Sequence, residues 1–101
     1  MPNKNYVRGS TKEREVVNQA RSQGFLSFRS AGSHSKIDVV IAEPNKTYFL
    51  QLKRVKTKYY NFDKELQELK DLKLDKHIIK QLWIYRDYEK RNNKWQKISI
   101  P

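Results

Sequence analysis

The segment from Lys36 to Val55 constrains this chain more than any other. A β-branched run (Ile37, Val39, Val40, Ile41) is followed by Glu43, Pro44, Asn45 and Lys46, and then by a second apolar-rich stretch from Thr47. The run fits a buried strand over residues 36–42, the Pro-Asn pair fits a turn, and residues 47–55 return as the partner strand of a hairpin. Ahead of it, Val16, Val17 and Ala20 recur at helical spacing, with Ser10 or Thr11 as cap and Gly24 as stop, so the pattern predicts a helix over residues 11–23. Residues 25–30 read as a short strand ending in the turn-prone stretch 31–35. After the hairpin, Leu66, Leu69 and Leu72 mark a helix over residues 63–74, capped by Asn61 or Asp63. Residues 81–85 and 95–100 read as two last strands around a polar turn at Asn92 and Asn93. The order αβββαββ predicts an α/β (α+β) fold, a mixed sheet of about five strands flanked by two helices.

A length of 101 residues with 37% apolar content allows one core, so residues 1–101 are expected to form a single domain, with residues 1–7 as a flexible basic arm. There is no cysteine, which removes thiolate metal sites, disulfides and cysteine nucleophiles. With no apolar run of membrane-spanning length and no secretory pattern near Met1, the expectation is a cytoplasmic location without membrane contact or small-molecule cofactor. The formal charge of +11, from 22 Lys and Arg against 11 Asp and Glu, points to a polyanionic partner. Before Ile37, Lys4, Arg8, Lys12, Arg14, Arg21, Arg29 and Lys36 face only Glu13 and Glu15, and Arg54, Lys56 and Lys58, with Tyr59 and Tyr60, follow the hairpin directly. Phosphate contacts from such residues give affinity without reading sequence. A solvated charged face is the plain alternative.

Four polar residues interrupt surfaces that should be buried. With Glu13 at 0° on its helix, Val16, Val17 and Ala20 fall at about 300°, 40° and 340°, so the carboxylate sits in the apolar stripe. Asp38 breaks the β-branched run, and Gln51 and Lys53 share one face of a strand with apolar neighbours. Taken singly, Glu13 fits a cap-proximal acid and Asp38 an edge-strand ion pair with Lys53. Taken together they suit a hard cation such as Mg2+, or Mn2+ in its place. Oxygens of Glu13, Asp38 and Gln51 and a backbone carbonyl near Leu52 would be the ligands, and Lys53 would steady charge developing on a phosphate. The reaction class is metal-assisted phosphodiester hydrolysis.

Asp38 followed by Gln51-Leu52-Lys53 resembles the D...(D/E/Q)xK signature of PD-(D/E)xK nucleases. RGSTKEREVV (8–17), GFLSFRSAGS (24–33), KIDVVIA (36–42) and YFLQLKRVK (48–56), in that order, resemble the archaeal Holliday junction resolvases, cellular or viral. The resemblance covers roughly residues 8–60. It implies a restriction-endonuclease-like core and a catalytic and metal-binding set of Glu13, Asp38, Gln51 and Lys53. It also implies DNA-backbone contacts from Arg14 and Arg29, with Ser30 and Ser33 approaching the scissile strand. The family usually carries Glu where this chain has Gln51, which removes one negative charge from the cation site.

The expected activity is therefore a Mg2+-dependent, structure-selective endonuclease that resolves four-way DNA junctions by paired symmetric cleavage. One active site cannot reach both strands, so the protein is expected to act as a C2 homodimer. Two other readings stay open: a related nuclease acting on other DNA, in nicking, end processing or defence, and a catalytically silent DNA-binding module.

Overall fold

The computed structural model describes residues 4–30, 36–56, 60–87 and 95–101, with the backbone path alone for residues 4–10. Seven elements follow in chain order: α1 (Lys4–Ser22), β1 (Leu26–Arg29), β2 (Val39–Ala42), β3 (Thr47–Val55), α2 (Asp63–Asp71), β4 (Ile78–Arg86) and β5 (Trp95–Ser99). The strands form one sheet in the order β1-β2-β3-β4-β5. β1, β2 and β3 pair antiparallel, β4 lies parallel to β3, and β5 is antiparallel to β4. The parallel step is possible because α2 carries the chain back across the sheet. The expected αβββαββ mixed sheet with two helices is the architecture observed.

Alternation along the strands divides the core in two. Val39, Ile41 and Leu50 meet Val16, Val17 and Ala20 of α1, all at most 7% exposed. On the other face Val55, Leu82 and Ile84 pack with Leu69 of α2, and Phe49, Leu66 and Leu72 close around them. At about 25 cal/mol per Å2 of apolar surface, fully burying one such side chain stabilises the fold by roughly 1.5–3 kcal/mol.

Several boundaries differ from those read in the sequence. The first helix begins at Lys4, not residue 11, so residues 4–7 of the expected arm are helical and Ser10 and Thr11 lie inside the helix. No proline interrupts residues 4–10, and Gly9 costs only about 1 kcal/mol in a helix, too little to stop it. At the other end Gly24 adopts φ +88°, its amide donating to Arg21 O at 2.9 Å while the Phe25 amide donates to Ala20 O at 3.1 Å. This is a Schellman stop, which a left-handed glycine makes easy. The second helix ends at Asp71 rather than Leu74, because Lys80 on β4 donates to Leu69 O and Leu72 O at 2.7 and 2.9 Å and satisfies the last carbonyls. β4 starts earlier than expected, at Ile78, and β5 stops at Ser99. The stretch 31–35, the turn at Asn92 and Asn93, and Ser33, Lys58 and Tyr59 lie outside the described residues.

Candidate active site

The pairing of β2 with β3 stops at Val39 opposite Leu50, one residue after Asp38. The Asp38 amide donates to Leu50 O and its carbonyl accepts from the Ser30 amide, both at 2.8 Å, so its backbone is fixed from two sides. Its side chain then takes over where the ladder ends, Oδ2 accepting from the Leu52 amide at 2.8 Å. Burial pushes the Asp38 carboxyl up from 3.8 to about 6. The Leu52 amide opposes that shift, the Glu13 charge adds to it, and the Lys53 charge opposes it.

Glu13 reaches this end of the sheet from α1. Its Oε2 accepts from Arg29 Nε at 2.9 Å, with side-chain exposures of 23% and 30% for Glu13 and Arg29. The buried Val16, Val17 and Ala20 confirm that Glu13 rises from the packed stripe of its helix, and Arg29 supplies the cation such a position needs.

Gln51 and Lys53 emerge together on the α2 side of β3, the side shared by Phe49 and Val55. Gln51 Oε1 is buried and has no hydrogen-bond partner among the described residues. Lys53 Nζ lies 3.7 Å from Oε1 of Glu65, an oxygen that also accepts from the Tyr60 hydroxyl at 2.9 Å. Among the described ion pairs Lys53 is thus joined to Glu65 of α2, not to Asp38. The sequence reading missed Glu65, although the argument used for Glu13 would have found it. With Glu65 at 0°, Leu69 and Leu72 fall at about 40° and 340°, so this acid too interrupts a buried stripe.

The expected DNA-contacting residues divide. Arg14 and Lys56 are exposed, whereas Ser30 is half-buried beside Asp38. Lys12 pairs with Glu15 at 3.0 Å, stacks on the Tyr85 ring at 3.8 Å from its centroid, and leaves only 13% of its side chain exposed. Arg54 pairs with Asp87 at 2.8 Å and Arg29 with Glu13. Arg8 lies in α1, where only the backbone is described. A groove of about 520 Å3 lies on the α1 side of the sheet, floored by Trp83 and Trp95, and none of Glu13, Asp38, Gln51 or Lys53 lines it.

No cluster of three His, Cys, Asp or Glu capable of holding a metal occurs among the described residues. The oxygens expected here come instead from two carboxylates, an amide and a backbone carbonyl. A carboxyl driven toward neutrality by burial and a buried amide oxygen with no donor both lack positive charge, and a hard divalent cation would supply it. The donor set fits such an ion.

The element order and the mixed five-stranded sheet define the class, a small α+β fold, with Asp38 bonded to the Leu52 amide between Gln51 and Lys53. The match to known proteins is more particular: residues 4–90 match the model of the archaeal Holliday junction resolvase (hjc) family, and the chain belongs to that family. Among solved structures it is similar to Archaeoglobus fulgidus Hjc, a Holliday junction resolvase from an archaeal hyperthermophile. The TM-score is 0.64 at 17% identity, over 91% of this chain and 84% of that one, a likeness of fold. No curated protein matches the chain.

Proposed function

We propose that this chain is a divalent-metal-dependent endonuclease that resolves four-way DNA junctions by paired, symmetric phosphodiester cleavage, acting as a homodimer. The observation that carries the reading is the state of Asp38. A carboxyl raised to about 6, pinned to the Leu52 amide and flanked by the charges of Glu13 and Lys53, is arranged to receive a cation rather than to stabilise the fold. Glu13, Asp38, the Gln51 side chain and the Leu52 carbonyl would hold Mg2+ or Mn2+. Such an ion would supply Lewis-acid chemistry there, polarising a phosphate and lowering the pKa of a bound water.

The chain's own groups do the rest. Arg29 restrains Glu13, so that its free oxygen stays directed rather than sweeping through rotamers. The Leu52 amide holds Oδ2 of Asp38 and so restrains the carboxyl that would help to hold the ion. Lys53 brings a fixed positive charge to the non-bridging phosphate oxygens, where charge grows as the bond to the attacking oxygen forms. A junction offers two equivalent strands, and a C2 pair of chains matches that symmetry.

The test is cleavage of an immobile four-way junction beside linear duplex and single strand, with Mg2+, Mn2+ or chelator, and Lys53→Ala as control. Paired symmetric nicks that need metal and fall to a small residual rate in the variant are expected. Cutting without junction preference would overturn the resolvase reading but keep the nuclease. Tight junction binding with no cutting under any condition would mark a silent binding module in which Gln51 has disabled the site.

A further inference from the structure

Glu65 stands third in α2 and is only 5% exposed. Its Oε1 accepts from Tyr60 at 2.9 Å and faces Lys53 Nζ at 3.7 Å, while Oε2 is buried with no hydrogen-bond partner among the described residues. A buried carboxylate with an unpaired oxygen weakens a fold, and replacing a buried ion pair by apolar side chains is commonly neutral or stabilising. Stability therefore does not account for the residue. Its partner does: Lys53 carries its charge on a flexible four-carbon stem with 37% of the side chain exposed, and such a stem samples many rotamers unless something holds it.

We propose that Glu65, itself fixed by Tyr60, is a positioning residue that holds the Lys53 ammonium beside Asp38 before DNA arrives. The proposal rests on the nuclease reading of Asp38 and Lys53. The separation of 3.7 Å is longer than the roughly 2.7–2.9 Å of a charge-assisted hydrogen bond, so the ammonium is restrained by charge without being saturated. Its protons stay free to turn to a phosphate oxygen. The Tyr60 ring, 5.6 Å from Lys53 Nζ, adds a second, softer restraint on the same atom. Pre-ordering a reacting group in this way acts on the chemical step and leaves binding alone.

The experiment measures three quantities for the wild type, Glu65→Gln, Glu65→Leu and Glu65→Asp: the single-turnover rate on a four-way junction at saturating protein, junction affinity in chelator, and the thermal midpoint. Glu65→Gln and Glu65→Leu are expected to slow cleavage roughly 10- to 100-fold, with affinity within about twofold and a midpoint equal to or above wild type. Glu65→Asp should recover part of the rate, and on the residual rate of Lys53→Ala the Glu65→Gln change should cost nothing further. Unchanged cleavage in Glu65→Gln, a loss that follows a fall in midpoint, or an additive loss in the Lys53→Ala background would each overturn the inference while leaving the nuclease intact. A wild type that binds junctions and cuts none would overturn the nuclease reading and this inference together.

Discussion

In the folded chain the Asp38 carboxyl keeps its proton up to about pH 6, whereas in the unfolded chain it loses it near 3.8. Between those values the folded state binds more protons, so this group's contribution is greatest below about pH 4 and is lost as pH rises through 6. The shift corresponds to about 2–3 kcal/mol against the fold at neutral pH. Asp38→Asn keeps an oxygen for the Leu52 amide and removes the charge. In chelator it should match wild type near pH 3.5 and exceed it by about 2–3 kcal/mol near pH 7.5, as read by denaturant melts. Equal stability at both pH values would show that Asp38 is not strained by its surroundings. Saturating Mg2+ should close the gap by stabilising wild type alone. As candidates, Glu13, Asp38, Gln51 and Lys53 are legible in the sequence, because a polar group on an apolar stripe or strand stands out from its spacing alone. Their partners are not. Arg29 and Glu65 reach Glu13 and Lys53 across elements far apart in the chain, and spacing within one element carries no information about which neighbour it will meet.

Among the elements, α1 depends on how it ends. Gly24 sits at φ +88° with open space where a Cβ would be, so Gly24→Ala meets no clash and tests conformation alone. It should destabilise the fold by about 1 kcal/mol, seen as a fall of a few degrees in thermal midpoint with the sheet intact. An unchanged midpoint would mean the Schellman stop is dispensable. All seven elements were legible in type and order, since hydrophobic period and turn residues are local signals. Their ends were less so: α2 stops early because of Lys80, a residue on a strand that has yet to form when the helix is read along the chain. The faces of β1 were also hidden. Ser27 is buried with its hydroxyl donating to Val40 O at 2.9 Å, while Leu26 and Phe28 on the opposite face are 67% and 45% exposed. β1 lies at the sheet edge, where α1 covers one face and α2 packs farther along the sheet, so position overrides hydrophobicity.

For the molecule as a whole, a charge of +11 makes salt the main control on DNA affinity. If six or more phosphates are neutralised, junction affinity should fall about 10^3-fold or more between about 50 and 200 mM salt. Lys56→Ala, at an exposed position, should lower the slope of log affinity against log salt by about one. A flat salt response would contradict a phosphate-led grip. The sheet order bears on a different matter, the order in which the protein comes into being. Each strand lies beside its neighbour in sequence, and only the step from β3 to β4 leaves the sheet, through α2. Short loops close first, so the sheet can grow from its β1 edge as the chain leaves the ribosome. Glu13, Asp38, Gln51 and Lys53 are all synthesised before α2 begins, yet β3 has an open edge until β4 pairs along it from Thr47 to Val55, and Lys53 has no Glu65 until α2 forms. A nascent chain thus carries the candidate residues well before it carries the packing that aims them.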